Sequence, residues 1–393
     1  MFNYLFKKDT LLATIAVFFI MGLLSLLPIN THVLDPIKFA LQDFDYNDLA
    51  YSRMGKNRET PIDTNIVIVN IGNAGRQEIA AMIQKVNEQH PKVIGVDVLF
   101  NAPKGEAEDS LLKAQITNNP KVVLAYNLHS NGEAISHEGF LYGQAPNKGF
   151  ANFIGEEGGV IRHFAPTMNQ GSNDYSFFAA SIAKVADPQG YQELKSRHQP
   201  IEIINYTHTS EKFVVVDGQE LLNGEINSVS LANKVVLLGF VSSEEGSVLD
   251  RHFTPMNKNS FGKTLPDMEG VFVHANIIRM ILDKDYIRKV PAWITWTLAF
   301  LLCWLHMSLF IKYYLERHLW FHLVAKTAQL FSAILFVYLA LLFFYKFDTK
   351  VNLTPSLVAI ILAVDVLYFY EAFCTWLNKK YHYKSVFAHA KHH

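Results

Sequence analysis

An excess of charge of either sign is what this chain most conspicuously lacks: 35 Lys and Arg stand against 36 Asp and Glu among 393 residues, a formal net charge of -1. A nucleic-acid binder needs a long-range positive field, and no basic helix or arginine-rich stripe runs through residues 30–290, so nucleic acid is excluded as a partner. Cysteine is almost as scarce. Cys303 and Cys374 both fall in apolar stretches, which leaves the polar segment without a thiol for a disulfide. Catalytic signatures are missing too: G-x-x-x-x-G-K-[ST], G-x-S-x-G and H-E-x-x-H do not occur, and IGNAG (71–75) has too few glycines for a dinucleotide loop. The terminal HAKHH has no cysteine or carboxylate neighbours and reads as a solvated tail. No metal, no cofactor and no enzymatic activity are expected.

What is present is hydrophobicity, unevenly spread. The composition is 50% hydrophobic, 13% aromatic and 18% charged, but the apolar residues crowd near the N-terminus and beyond residue 290, while 30–290 has the scattered charge of a soluble domain. Residues 11–29 carry no charge and nearly cross a hydrocarbon core of about 30 Å at about 1.5 Å per residue. Lys7 and Lys8 precede them as in a secretory signal, yet the run is too long for one and no A-x-A site follows, so an uncleaved anchor is expected. Three more spans are read at 291–311, 327–345 and 353–377, flanked by Trp293, Trp296, Tyr345 and Trp376, amphipathic rings suited to headgroup depth.

Orientation follows from the short basic loops. With alternating spans, Lys7 and Lys8, then Lys312, Arg317 and Lys326, then Lys379, Lys380 and Lys384 share one side, which reads as cytoplasmic. Lys346 and Lys350 lie on the other side, and Arg288 and Lys289 sit there beside Asp283 and Asp285. The expectation is a multi-pass protein of a bacterial inner membrane, with residues 1–10 and 378–393 cytoplasmic and 30–290 outside, periplasmic in a two-membrane envelope.

Within 30–290, IVIVNI (66–71), a helical pattern at Ile79, Met82, Ile83 and Val86, and KVIGVDVLF (92–100) make a βαβ unit. Near-continuous β-branched runs suit strands covered on both faces, and a helical crossover makes them parallel. An amphipathic stretch at 108–117 before KVVLAYN (121–127) continues the alternation. Residues 128–159 read as a long excursion, GGVIRHFAPTM as hairpin-like, and 174–187 as a helix with Phe177, Phe178, Ile182 and Val185 on one face. IEIINY, KFVVV and KVVLLGFV supply later strands, the last one central because it is wholly apolar. The fold class expected is an extracytoplasmic α/β domain with a mainly parallel sheet, plus four transmembrane helices, one before it and three after.

These residues resemble the type-2 CHASE domain, the extracellular sensory module found in front of bacterial cyclases, histidine kinases and serine/threonine kinases. The resemblance is carried by IVIVNI, KVIGVDVLF, GGVIRHFAP, PIEIINY, NKVVLLG, DRHFTPM (250–256) and MEGVFVHANIIRMILDKDYIRKVP from Met268, which runs straight into a span. It implies a sensory domain with one helix before it and three after. Two departures stand out. Family members commonly carry a D-x-D-E-like run after the first strand, where this chain has Asn70, Gly72 and Asn73, and about 16 residues after position 377 leave no room for a kinase or cyclase output domain.

Ligands of open α/β sheets bind outside the carboxyl ends of the strands, which singles out Asn70 and Asn73, Asp97 and Asn101, and Ser242 and Ser243; the same residues also suit helix caps and turns. Asp250 and Arg251, followed by Thr254 and Pro255, make a charged turn that the family resemblance implies recurs at this position, and they read as a buried ion pair holding a loop. His274, with Asn276 in GVFVHANIIRM, sits on the helix leading toward the membrane, as a packed or capping histidine against a ligand or pH sensor. Inside the membrane Asp365 is the sharpest anomaly, with Glu371 six positions on and His306 at similar depth in another span. Structural glue, contact with a partner subunit and a proton or ion path are the three readings.

Functionally, the sequence points to a non-enzymatic membrane protein that binds a partner or ligand, first as an accessory or scaffold subunit of a bacterial envelope complex. A stand-alone signal receptor passing a ligand signal to a separate cytoplasmic output protein is the second reading, and an ion pathway through Asp365 the third. The partners expected are membrane lipid, other membrane or envelope proteins and a small-molecule ligand.

Overall fold

The computed structural model describes residues 2–26, 45–57, 59–130, 135–154, 159–170, 173–226, 229–242, 248–257, 265–316 and 318–387. The chain divides into two units, Gln42–Ile287 on one hand and Met1–Leu41 with Arg288–His393 on the other. It opens with α1 (Phe2–Leu5) and α2 (Lys8–Ser25). The larger unit then contributes α3 (Asp48–Ser52), β1 (Asp63–Asn70), α4 (Arg76–Glu88), β2 (Val93–Val96), α5 (Glu106–Thr117), β3 (Val122–Ser130), β4 (Ile135–Glu138) and β5 (Asn147–Phe150). After these come β6 (His163–Phe164), β7 (Thr167–Gln170), β8 (Asn173–Ser176), α6 (Phe178–Ala186), α7 (Pro188–Ser196), β9 (Glu202–Ile203), β10 (Phe213–Asp217), α8 (Gly218–Asn223), β11 (Val235–Gly239), β12 (Arg251–His252), β13 (Met268–Glu269) and α9 (Gly270–Asp283). Across the second unit run β14 (Arg288–Lys289), α10 (Ala292–Glu316), α11 (His318–Phe347), β15 (Thr349–Lys350) and α12 (Thr354–Tyr381).

The main sheet runs β10-β1-β11-β2-β3, all parallel, with β3 continuing to β5 in parallel along its first half and to β4 antiparallel along its second. All five residues of β11 are buried, which explains its place between β1 and β2: a strand apolar on both faces is stable only where helices cover both. Burying each of its Val and Leu side chains contributes roughly 1.5–3 kcal/mol. The crossover through α4 therefore joins two parallel strands that β11 separates. Helices α4 and α5 cover one face, with Ile79, Met82, Ile83 and Val86 buried as their 3.6-residue spacing requires. Helices α6 and α9 cover the other. Their approach depends on Gly149, where a Cβ would lie 2.5 Å from the Cα of Phe178.

The stretch around GGVIRHFAPTM is split. His163–Phe164 pairs with Glu202–Ile203, and the hairpin lies just downstream, β7 against β8, so the helix expected from 174 begins at Phe178. Helix α9 is buried almost all round, as a helix apolar on every side must be. Its Asn276, 0% exposed, is fully hydrogen-bonded: Oδ1 accepts from the backbone N–H of Thr207 (3.1 Å) and His208 (3.0 Å), and Nδ2 donates to the carbonyls of His208 (2.9 Å) and Phe272 (3.0 Å). Arg162 grips Asp48 through Nε (3.0 Å to Oδ1) and Nη2 (2.6 Å to Oδ2), fastening α3.

In the second unit, among the described residues, four helices are long and apolar enough to cross a membrane: Lys8–Ser25, Ala292–Glu316, Leu319–Phe347 and Thr354–Tyr381. They overlap the spans read from hydropathy and extend past most of their ends, because backbone hydrogen bonding continues beyond the last apolar residue; residues 27–29 of the first lie outside the described residues. Ala13, Ala359 and Ala363 are buried at the helix contacts, where small side chains let backbones approach closely. Gln329 Nε2 donates to the Ile360 carbonyl at 2.7 Å, tying α11 to α12. Two backbone bonds, Arg288 N–H to Asp348 O (2.7 Å) and Val290 N–H to Lys350 O (3.0 Å), fasten the segment before α10 to the loop between α11 and α12.

Candidate functional site

The carboxyl ends of β1, β11 and β2 lie side by side, because Ile71 N–H bonds to Gly239 O (3.0 Å) and Asp97 N–H to Leu238 O (2.8 Å). Asn70, the last residue of β1, spends its side chain on structure: Oδ1 accepts from the N–H of Gly72 (3.0 Å) and of Val241 (2.9 Å), closing the turn after β1 and binding it to the loop after β11. Gly72 occupies the left-handed region (φ +50°) that this turn requires. Asn73 and Asn101 are exposed, Ser242 is half-buried, and Ser243 lies outside the described residues.

Asp97 and His274 form the chemically unusual pair. Asp97 Oδ1 stands 3.9 Å from His274 Nε2, with side-chain exposures of 16% and 2%. Burial raises the Asp97 carboxyl to about 8, helped by the negative Asp250 nearby, and lowers the His274 imidazole to about 3, helped by His252. Both groups are therefore neutral near pH 7, an acid and an imidazole rather than an ion pair. The His274 ring is caged by Phe153, Phe178 and Phe177, with centroids at 4.6, 5.0 and 5.4 Å, and its Nδ1 has no hydrogen-bond partner among the described residues. Leaving such a group unpaired costs about 1–3 kcal/mol. Among the described residues no group of three or more His, Cys, Asp or Glu is placed to hold a metal.

The loop entering α9 completes this end of the sheet. Asp250 takes a left-handed conformation (φ +54°), is exposed, and its carbonyl accepts the Gly270 N–H at 3.0 Å. An ion pair in this loop joins Arg251 to Glu269: Nε donates to Oε1 at 2.9 Å, and the two residues face each other across the β12–β13 rung. His252, its ring 5.2 Å from Phe153, was not singled out from the sequence, nor was Phe153, while Phe177 and Phe178 were read only as one face of a helix. Its place two residues after Asp250 in DRHF was the signal for it.

The intramembrane polar residues are not brought together. His306 Nδ1 pairs with the Leu302 carbonyl (2.8 Å) and Nε2 with Ser332 Oγ (2.9 Å), across α10 and α11. Glu371 accepts the Tyr314 hydroxyl, across α12 and α10. Asp365, near the middle of α12, is exposed on the outer surface of the bundle, in a stripe with Ile361 and Phe369, and makes no hydrogen bond or ion pair among the described residues. A carboxylate absent from the sequence candidates, Asp9, is the best-bonded of these: 5% exposed, it accepts from Tyr370 Oη (3.0 Å), Ser385 Oγ (2.8 Å) and Val386 N–H (3.0 Å).

Comparison with curated proteins and with solved structures returns no match. The family model described as the CHASE2 domain matches residues 14–310, from within α2 through the α/β unit and most of α10. With most of its length inside that match and apolar helices of spanning length on both sides of the α/β unit, the chain is a membrane protein that belongs to the CHASE2 domain family.

Proposed function

We propose that this protein is a non-enzymatic accessory subunit of a bacterial envelope complex, docked to a partner within the membrane through the outer face of α12. The observation that carries this reading is the exposure of Asp365 near the middle of a span. An ionisable group at that depth is costly against hydrocarbon and is almost always turned to a bundle interior or a partner. None of the described residues of the bundle covers it, so a polar group on a neighbouring helix does. The CHASE2 unit then stands on the periplasmic or outer side, with both termini cytoplasmic, as the basic loops favour.

The test is a photo-crosslinking residue placed at Ile361, which is 60% exposed on the same stripe. A discrete protein adduct at position 361, lost when Asp365→Leu is added and kept with Asp365→Asn, is the expected result. Only lipid adducts, unchanged by Asp365→Leu, would overturn it. A second reading, a receptor that passes its signal to a separate output protein, is favoured by the Asp97–His274 pair, since His274 sits on α9, the last helix before the chain enters α10.

A further inference from the structure

At the opposite, amino end of the same strands lies a cavity of about 280 Å³, bounded by the starts of β1 and β11, the residue before β2, the α6–α7 junction and the last turn of α9. Its floor sets one guanidinium between two carboxylates. Arg279 is bound to Asp63, which is 2% exposed, and its Nη2 lies 3.0 Å from Asp283. Asp63 also accepts the N–H groups of Asn65 (2.7 Å) and Ile66 (3.1 Å), which fixes the carboxylate in place.

The remaining polar lining is uncommitted. Lys92 and Asp187 make no side-chain hydrogen bond or ion pair among the described residues, with each other or with any other group, and the side-chain amides of Asn65 and Asn233 are likewise unpaired. One positive charge, one negative charge and two amides therefore border a space below the roughly 300 Å³ at which drug-sized sites begin. A monovalent ion would satisfy only one of the two charges, and an apolar molecule neither.

We propose that this cavity binds a small zwitterion of the α-amino acid type, its carboxylate taken by Lys92 and its ammonium by Asp187, with Asn65 and Asn233 completing the hydrogen bonds. The site goes beyond the docking proposed above and does not depend on it. Because Arg279, Leu282 and Asp283 line it, the ligand touches the final turn of α9, shortly before the chain enters α10 at Ala292.

The experiment uses the full chain in mild detergent, screened by thermal shift against the standard L-amino acids, followed by calorimetry on any that stabilise it. For each hit, the amine lacking the carboxylate and the acid lacking the ammonium are tested in parallel. The expected result is stabilisation by at least one amino acid, none by its two analogues, and about tenfold or greater weakening by either Lys92→Met or Asp187→Asn. The ligand-free melting temperature of both variants stays at the wild-type value, since neither side chain makes a bond to lose. The proposal is overturned if no amino acid shifts the transition, if an analogue with one charge binds as well, or if both substitutions leave affinity unchanged. The crosslink at position 361 reads the docking separately, so either idea can fail alone.

Discussion

Ser385 donates its hydroxyl to the Asp9 carboxylate at 2.8 Å, joining the first turn of the first membrane helix to the segment that follows the last one. Asp9 also accepts from Tyr370 and from the backbone of Val386, so one buried carboxylate holds both ends of the bundle together. Replacing it with Ala leaves several buried donors unpaired, at about 1–3 kcal/mol each. Asp9→Ala is expected to lower the melting temperature of the full chain in detergent and to speed proteolysis after Tyr381, with Asp9→Asn intermediate. Unchanged protease sensitivity in Asp9→Ala would contradict the clamp.

Asn276→Ala is expected to be among the most damaging single changes in the α/β unit. It strips partners from the backbone of Thr207 and His208 at a site with no access to water, again about 1–3 kcal/mol per orphaned group. Thermal melts of the full chain check this, and Asn276→Asp should rescue only in part because it cannot donate to the His208 carbonyl.

Gly149→Ala sets a backbone-distance limit. Its new methyl would meet the Phe178 main chain at 2.5 Å, where no rotamer change can relieve the clash. Overpacking of this kind costs about 1–3 kcal/mol and forces α6 away from the sheet. Gly143→Ala, which has open space around its Cβ, is the matched control and should melt like the wild type.

The Asp97–His274 pair predicts a pH dependence with a defined sign. Asp97 keeps its proton in the folded chain up to about 8, whereas the unfolded chain loses it near 3.9, so this group's contribution is complete at low pH and fades as pH rises toward 8. Asp267, raised to about 6, acts in the same direction over the lower part of that window. His274 acts oppositely: with a folded value of about 3 against about 6.5 unfolded, its contribution is lost as pH falls from about 6.5 toward 3. His208 and His252, whose imidazoles burial also lowers, act as His274 does, so the Asp97 slope prevails only about one pH unit above the unfolded histidine value of about 6.5. The melting temperature should therefore decline from about pH 7.5 to about 8.5, and Asp97→Asn should flatten that decline; an equal decline in the variant would contradict the assignment.

What the sequence made legible follows from how local each signal is. The strands at 66–71 and 234–241 and the helix carrying Ile79, Met82, Ile83 and Val86 were readable because unbroken β-branched runs and 3.6-residue spacing are properties of neighbouring residues. The insertion of β11 between β1 and β2 was not, since it depends on pairing Ile66 with Val235 across most of the domain. Arg251 illustrates the same limit at short range: Glu269, which it meets across a strand rung, is not its neighbour in sequence. The separation of Asp365 from Glu371 was available from geometry alone. Six residues at about 100° each leave two side chains about 120° apart around a helix, so one meets Tyr314 while the other turns outward. Asp9 escaped notice because it sits just before the uncharged run, among Lys7 and Lys8.

The short β14–β15 pairing has a mechanical meaning. Because Arg288 and Val290 are stitched to Asp348 and Lys350, a tug on the polypeptide at 288–290 reaches the bundle through two handles at once, the start of α10 and the corner joining α11 to α12. Three of the four apolar helices thus meet at one point of attachment, while α2 is tied to the bundle separately, through Asp9.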